Sequence, residues 1–516
     1  MLLLWITILP LLGALALVPL SPRRTSLLRG VAVATTLAVA VLSLVLWTRF
    51  DGTRADAQAL FSVPWFTLFA QGGAPVPLHF ALGVDGISIL LVLLTTFLMP
   101  IVVVSSVGHV TERVKEFLIW LLLMETGMLG VFAALDLVLF YVFFEASLVP
   151  LYFIVGIWGG ERRLYATIKF FLFMVAGSLV MLVGVIALIY GLGSASLPVL
   201  IERGAELSLE HQRWIFLAFA LAFAVKVPIV PFHTWLADAH TEAPTSGSVL
   251  LAGVLLKMGT YGLLRFCIQP FPEIALGYGP VFLALGALGI VYGALLAMAQ
   301  TDLKRLIACS SVSHLGFVVL GLFAMTSSSL RGAVLQMVNH GISTGLLFLL
   351  VGMLYERRHT RLLDRFGGLA AVMPVFALFF VFTVLSSAGL PGLNGFVGEY
   401  LILSGTFQSA PFWAAVAVTG VVLGAIYLLT STRRVLFGPV ILEENKQLAD
   451  LGKREVGTLL PLVALALWIG VQPNPFLAKT AASLDRIADR VERTRAALDL
   501  GALEPASSDP LVSAKE

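Results

Sequence analysis

Uninterrupted apolar stretches of about 20 residues recur along almost the whole chain, and nothing else in the sequence limits the fold as strongly. Wound as a helix at 1.5 Å per residue, such a stretch spans the ~30 Å of a bilayer's hydrocarbon core. Hydrocarbon offers the backbone no hydrogen-bond partner, so each stretch has to satisfy its own N–H and C=O groups as a helix. Charge points the same way: only 12% of the 516 residues are Asp, Glu, Lys or Arg, about half the share in soluble domains.

We therefore expect an all-α polytopic membrane protein with about fourteen transmembrane helices. The apolar stretches lie near 2–20, 29–48, 80–106, 117–135, 137–158, 166–191, 213–231, 246–268, 276–299, 305–325, 331–355, 369–407, 412–436 and 456–473. The stretch 369–407 is too long for one straight helix and contains its own break. The first stretch has no basic residue ahead of it, and Arg23 and Arg24 come after it. That is the pattern of a retained helix rather than a cleaved signal.

Lys and Arg fall unevenly between alternate loops. Those on the side of residues 21–30 collect roughly 19, including Arg162, Arg163, Lys304, Arg305, Arg357, Arg358, Arg361, Arg433 and Arg434; the opposite loops collect roughly six. The positive-inside rule places the basic loops in the cytoplasm and both termini outside, in a cell inner (plasma) membrane. The loop 49–79 is mixed and contains Gly and Pro. In the tail, Leu484, Ile487, Val491 and Leu498 recur at helical spacing among charges, an amphipathic surface helix that docks on this chain, on a neighbour, or stays solvated. The two cysteines, Cys267 and Cys309, are too few for an iron–sulfur cluster or a four-ligand zinc site. They read as small packing residues. No P-loop, Gly-rich dinucleotide fingerprint or paired-His haem pattern occurs.

Against this apolar background stand Glu145, Lys226, Lys257, His314, His340 and Glu399. A charge in the membrane interior costs at least ~2.5–3.5 kcal/mol on insertion scales, so it needs a partner, a water-filled cavity, or both. Six such groups of mixed sign on successive helices read as an ion route, with the proton as the simplest cargo. A buried lysine suits the task because burial and a nearby carboxylate push its protonation in opposite directions. Glu145 and Lys226 are expected to form such a switchable pair, Lys257 to extend the line, the histidines to relay and Glu399 to end it. Taken singly, the groups have plainer readings: a static buried ion pair for Glu145 and Lys226, hydrogen-bonded core histidines for His314 and His340. Glu125, Asp136, Lys169 and Asp85 lie nearer expected helix ends, where snorkelling explains them as well as function does; of the four, Glu125 is the one to test first. The loop holding His233, Asp238, His240 and Glu242 is expected to be a polar funnel or re-entrant segment rather than a metal site.

Two apolar stretches are interrupted beside these charges. Pro228 and Pro231 follow Lys226, and Gly389, Pro391, Gly392, Asn394 and Gly395 precede Glu399. Broken helices at matching places in two halves point to a transport site. An offset of about 173 residues carries Lys226 to Glu399 and Glu145 to within about one helical turn of His314. The offset suggests an inverted repeat without detectable repetition of sequence.

The runs VKVPIVPFHTWLADAHTEAPTSGSVLLAGVLLKMGTYG, TDLKRLIACSSVSHLGFVVLG and SAGLPGLNGFVGEYLILSGTF resemble the proton-conducting antiporter-like family of respiratory complex I and multisubunit Na+/H+ antiporters. The resemblance covers nearly the whole chain from the second span onward. It implies two inverted five-helix repeats with discontinuous helices, divided here as residues 1–116 (three N-terminal helices), 117–268, 269–436, and 437–516 (last helix and tail). It also implies that Glu145 and Lys226 are the carboxylate–lysine pair, Lys257 the middle lysine, His314 and His340 relays, and Glu399 the terminal group. Sister members usually have lysine at that last position; glutamate marks one complex I branch. NADH, flavin, iron–sulfur and quinone chemistry would belong to partner subunits, leaving this chain a non-redox part of a translocating NADH:quinone oxidoreductase. The alternatives are a cation/proton antiporter subunit or a scaffold with static charges. Ala237, Cys309 and Leu393 depart from the family's usual residues, and bear on local geometry.

Overall fold

The computed structural model describes residues 1–69 and 75–503, with side chains to residue 500. Helices dominate it, as the apolar stretches require. On the N-terminal side run α1 (Leu2–Leu17) and α2 (Thr25–Arg49), a hairpin of β1 (Gln58–Phe69) and β2 (Pro75–Val84), then α3 (Ile89–Ser105) and α4 (Val114–Ala133). The next group is α5 (Leu137–Ala146), α6 (Leu148–Trp158), α7 (Arg163–Leu192), α8 (Leu197–Arg203), α9 (Leu209–Lys226) and α10 (Thr234–Glu242). A central span follows as α11 (Thr245–Leu250), a π-helical turn (Leu251–Leu255), α12 (Leu256–Gly262) and a second π-helical turn (Leu263–Ile268). Then come α13 (Pro272–Met298), α14 (Leu303–Ala324), α15 (Ser327–Arg358), α16 (Leu369–Val372), α17 (Pro374–Ser387), α18 (Asn394–Ser409) and α19 (Pro411–Leu436). The chain ends with α20 (Glu443–Lys446), α21 (Lys453–Val471) and α22 (Asn474–Leu503).

Among the described residues, ten helical spans are long and apolar enough to cross a membrane, and α1, α3 and α17 are shorter apolar helices. The α11–α12 span, α14 and α15 are buried on all sides and form the centre, whereas α2 and α19 face outward along most of their length. Between α13 and α14 the helices touch through glycine: a Cβ on Gly293 would stand 2.6 Å from the Ser313 amide nitrogen. Close backbone approach of this kind replaces the hydrophobic effect, which is absent between helices in lipid.

One expectation fails at the start of the third span. Residues 80–84 are strand, not helix, and pair antiparallel with β1, Phe61 opposite Leu82 and Val63 opposite Phe80. Their apolar run belongs to a hairpin packed on the helix ends. Asp136 holds it there: one carboxylate oxygen accepts from the Val138 and Leu139 amides and caps α5, while the other accepts from the His79 amide. Asp85 does not snorkel either. It pairs with Arg265 at 2.7 Å, both nearly enclosed, and so ties the hairpin's end to the second π-helical turn.

The amphipathic tail docks on its own chain. Leu484, Ile487 and Val491 of α22 are enclosed, while Leu498 is 43% exposed. Ser483 accepts from the Gly86 amide, Arg486 pairs with Asp56, and Asp485 accepts from Ser327 and Arg331.

Candidate functional site

The second break begins the site because its construction is the most complete. The gap between α17 and α18 leaves backbone groups that hydrocarbon would not tolerate unpaired. The amides of Gly389, Leu390 and Leu393 reach back to the Ser386, Leu385 and Leu390 carbonyls, and Asn394 and Asn339 add side-chain bonds across the break. The Asn394 carboxamide accepts from Ser386 Oγ at 2.6 Å and donates toward Ser343 Oγ, and Asn339 Nδ2 donates to the Asn394 carbonyl at 2.7 Å. These bonds lash the break to α15. Gly389, at φ +76°, brings its backbone so close to Glu399 that a Cβ would sit 2.7 Å from Oε2.

From Glu399 a line of polar groups runs inward. Its Oε1 lies 3.5 Å from His314 Nδ1 and accepts from Gln336 Nε2 at 3.3 Å. The His314 and His340 rings are 5.8 Å apart between centroids. His340 Nδ1 is 2.7 Å from Lys257 Nζ, which also donates to the Ala252 carbonyl. Ala252 belongs to the first π-helical turn, and a second one begins six residues after Lys257. Such turns disturb the regular ladder and recur at functional sites. A cavity of about 10 Å³, bordered by His314, Gln336, His340 and Ser343, has room for roughly one water. In sequence order His314 precedes His340; in space it follows, standing between His340 and the carboxylate.

The first break is built differently. Pro228 and Pro231 bring no N–H, and the remaining groups reach back: the Ile229 amide to Ala224 O at 2.9 Å, and Trp235 Nε1 to Val225 O at 3.0 Å. A Cβ on Gly259 would lie 3.1 Å from that of Lys226, so α12 presses directly on the break. The Lys226 ammonium, at the end of α9, stands 4.3 Å from the centroid of the Phe144 ring. Among the described residues it has no hydrogen-bond partner, and Glu145, half-buried and next in sequence to Phe144, is outside ion-pair distance. The structure thus brings Lys257, His340, His314 and Glu399 together and leaves Glu145 and Lys226 as neighbours without contact. A static, hydrogen-bonded Glu145–Lys226 pair is not present.

Three residues carry more than their sequence context announced. Glu125 is fully enclosed in the middle of α4, with neither carboxyl oxygen hydrogen-bonded, so snorkelling does not explain it. His240 is also fully enclosed, its ring stacked on Phe348 at 4.7 Å between centroids and within electrostatic range of Lys304 and Lys257. At the C-terminal end of α10 a cavity of about 190 Å³ opens toward the basic loops, lined by His109, Glu242, Lys304, Glu356 and Arg361. Lys304 donates to the Ala243 carbonyl and Arg361 to the Thr241 carbonyl, so both cations sit at the C-terminal end of α10, where the helix dipole favours them. The third is Asp238, which accepts from Lys169 at 2.7 Å and from Arg305 at 3.1 Å and binds α10 to both α7 and α14. Lys169, expected to snorkel, is spent on this pair. With Asp238 so engaged and Glu242 accepting from the Arg162 amide, the loop's side chains serve separate partners. Among the described residues no three His, Cys, Asp or Glu converge as a metal set.

Comparison with known proteins bears on the family and the fold. Residues 134–424 match the family model described as NADH:quinone oxidoreductase/Mrp antiporter, transmembrane, and residues 33–130 match that described as NADH-ubiquinone oxidoreductase chain 4, amino terminus. NADH-quinone oxidoreductase subunit M of Rhodobacter capsulatus is 45% identical over 484 residues, covering 91% of this chain and 93% of the relative. A chain in the structure of respiratory complex I from Thermus thermophilus with bound NADH superposes with a TM-score of 0.84 at 34% identity, over 95% of this chain and 100% of that one. A chain of the Mrp complex from Dietzia sp. DQ12-45-1b shares the fold, with a TM-score of 0.82 at 22% identity over 96% of this chain and 99% of that one.

Proposed function

This chain belongs to the NADH:quinone oxidoreductase/Mrp antiporter family of membrane subunits, in its subunit M and chain 4 branch, and we propose that its buried Glu, Lys and His groups carry protons. A signal from neighbouring subunits shifts Glu145 relative to Lys226. Loss of the carboxylate's field favours release of the Lys226 proton, and the line from Lys257 through His340 and His314 delivers a proton to Glu399. The single observation that carries this reading is the continuity of that line, with Lys257, His340, His314 and Glu399 arranged in one order on four separate helices. The cavity beside Lys304, which has His240 within electrostatic range, supplies the entry on the basic-loop side.

The redox steps belong to partners in this reading. NADH, flavin, iron–sulfur clusters and quinone are handled by other subunits, and this chain contributes the translocating, non-redox part of the oxidoreductase. Sister antiporter-like subunits flank it in the membrane. We place the basic loops in the cytoplasm and both termini outside, in the cell inner membrane. The five-helix units 117–268 and 269–436 are taken as inverted repeats, one broken helix in each.

Replacing Lys226 or Glu399 with Ala in the assembled complex is expected to abolish most proton pumping and the quinone reduction coupled to it, with assembly retained. Proton-to-electron stoichiometry is measured in proteoliposomes. A normal ratio in both variants refutes the proposed route and leaves a scaffold role. The antiporter alternative has a separate test: co-purification of this chain with subunits that oxidise NADH excludes it.

A further inference from the structure

His314 is approached at both ring nitrogens. Nδ1 faces Glu399 Oε1 at 3.5 Å, and Nε2 faces the Tyr427 hydroxyl at 3.4 Å. A neutral imidazole carries one proton, and the partner of one nitrogen decides which of the two holds it. Between a phenol and an imidazole the direction of the bond is not symmetric. A phenol O–H is a stronger donor than an imidazole N–H, and an imidazole nitrogen a stronger acceptor than a phenol oxygen, so the phenol donates and the nitrogen accepts. With Nε2 accepting from Tyr427, the ring proton sits on Nδ1, facing the carboxylate.

We propose that Tyr427 is a positioning residue that holds His314 as the Nδ1–H tautomer, so that the ring offers a donor to Glu399 and keeps its accepting lone pair on Nε2. The proposal rests on the proton route given above. Tyr427 is enclosed on α19, which otherwise faces largely outward. Its other polar neighbour is Ser310, one turn before His314 on α14. Ser310 Oγ already donates to the Ile307 carbonyl at 2.7 Å, so it competes with His314 only as an acceptor of the Tyr427 proton. A cavity of about 70 Å³ borders Tyr427 and reaches the basic-loop side past Thr430, Ser431 and Arg434. Truncating the ring would merge that cavity with the site. Tyr427→Phe keeps the wall and removes only the hydroxyl, so it is the informative variant.

The test uses the whole complex in proteoliposomes, with protons pumped per electron as one readout. The other is the histidine ring vibration in isotope-edited infrared difference spectra, assigned to His314 by subtraction of a His314→Gln variant. Losing a hydrogen bond this long, at the weak end of the ordinary range, predicts about a twofold fall in pumping. The single Nδ1–H signature is expected to split into two tautomers. Unchanged pumping overturns the proposal, as it would if the hydroxyl served Ser310 instead. A fall in pumping with the single tautomer retained also overturns it, because the hydroxyl would then be merely structural. Failure of the route itself is read elsewhere: normal pumping in His314→Gln refutes the axis, whereas a retained tautomer in Tyr427→Phe refutes this proposal alone.

Discussion

Gly389→Ala moves the terminal carboxyl without altering any titratable group. The added Cβ would stand 2.7 Å from Glu399 Oε2, against the 3.4 Å at which ordinary van der Waals contact begins. The carboxyl is the free end of a side chain and yields before the backbone does, retreating by roughly 0.7 Å. Its other oxygen is 3.5 Å from His314 Nδ1 and 3.3 Å from Gln336 Nε2, so a shift of this size changes both separations materially. A ~1 Å misplacement of a reacting group costs on the order of 10²-fold, and the smaller shift here predicts roughly a tenfold loss of pumping. Alanine at left-handed φ also costs about 1–2 kcal/mol of backbone energy. Gly392→Ala separates the two effects: Gly392 has φ +89°, and a Cβ there meets nothing within 4 Å. Both variants pay the backbone cost, and only Gly389→Ala touches Glu399. Complexes reconstituted in liposomes would be assayed for NADH-driven acidification and quinone reduction, with subunit content as the control for assembly. Equal losses in the two variants, or normal pumping in Gly389→Ala, would show that the position of the carboxyl does not limit transfer.

Arg265→Met strands Asp85 as an unpaired buried charge and is expected to cost about 3–5 kcal/mol, lowering the amount of assembled subunit in membranes; the double variant Arg265→Met, Asp85→Asn, which removes the charge and keeps an acceptor for the Ile87 and Ser88 amides, should recover most of it. His240→Phe keeps the stack on Phe348 and removes the titratable ring, so pumping should fall several-fold at normal assembly, while His233→Phe, whose ring meets Tyr292 at the break, should change it little. Leu484→Ala together with Ile487→Ala removes enclosed apolar groups from α22, each worth about 2–5 kcal/mol, and should release the tail to proteolysis without affecting residues 1–473.

The membrane spans were legible because lipid leaves the backbone one solution, and a 20-residue apolar run records it directly. Residues 80–84 show the limit of that signal. Their alternation is short, and the run continues into α3, so strand and helix share one apolar stretch in the sequence. Glu125 lies mid-span in the sequence as it does in α4; what the sequence does not carry is that other helices rather than lipid cover that turn, which is what encloses the carboxyl. The six charges were visible as exceptions to the apolar background, and both breaks as clusters of Pro and Gly. Their spatial order was not visible, because His314 and His340 come from helices that fold back on one another. The separation of Glu145 from Lys226 was equally hidden, since it depends on where the Phe144 ring lies. The π-helical turns around Lys257 have no signature in LLAGVLLKMGTYGLL, which reads as an ordinary apolar helix.

The two breaks also explain why their resident charges have opposite signs. Lys226 is the last residue of α9 and the break follows it; Glu399 lies in α18 and the break precedes it. A helix presents about half a negative charge at its C-terminus and half a positive charge at its N-terminus. The first break therefore exposes a helix end that favours a cation, and the second an end that favours an anion. The second effect is the weaker, since Glu399 is five residues beyond Asn394 and the field fades after the first turn. Glu399 accordingly has side-chain partners, Gln336 and His314, where Lys226, without a hydrogen bond among the described residues, has the face of Phe144 and the field of nearby Glu145. The terminal acid is thus held by specific donors and the lysine by a diffuse field. A group held diffusely responds to the displacement of a nearby charge, whereas a group held by donors keeps its place. In the proposed route, that difference suits the first break to the switching step and the second to reception of the proton.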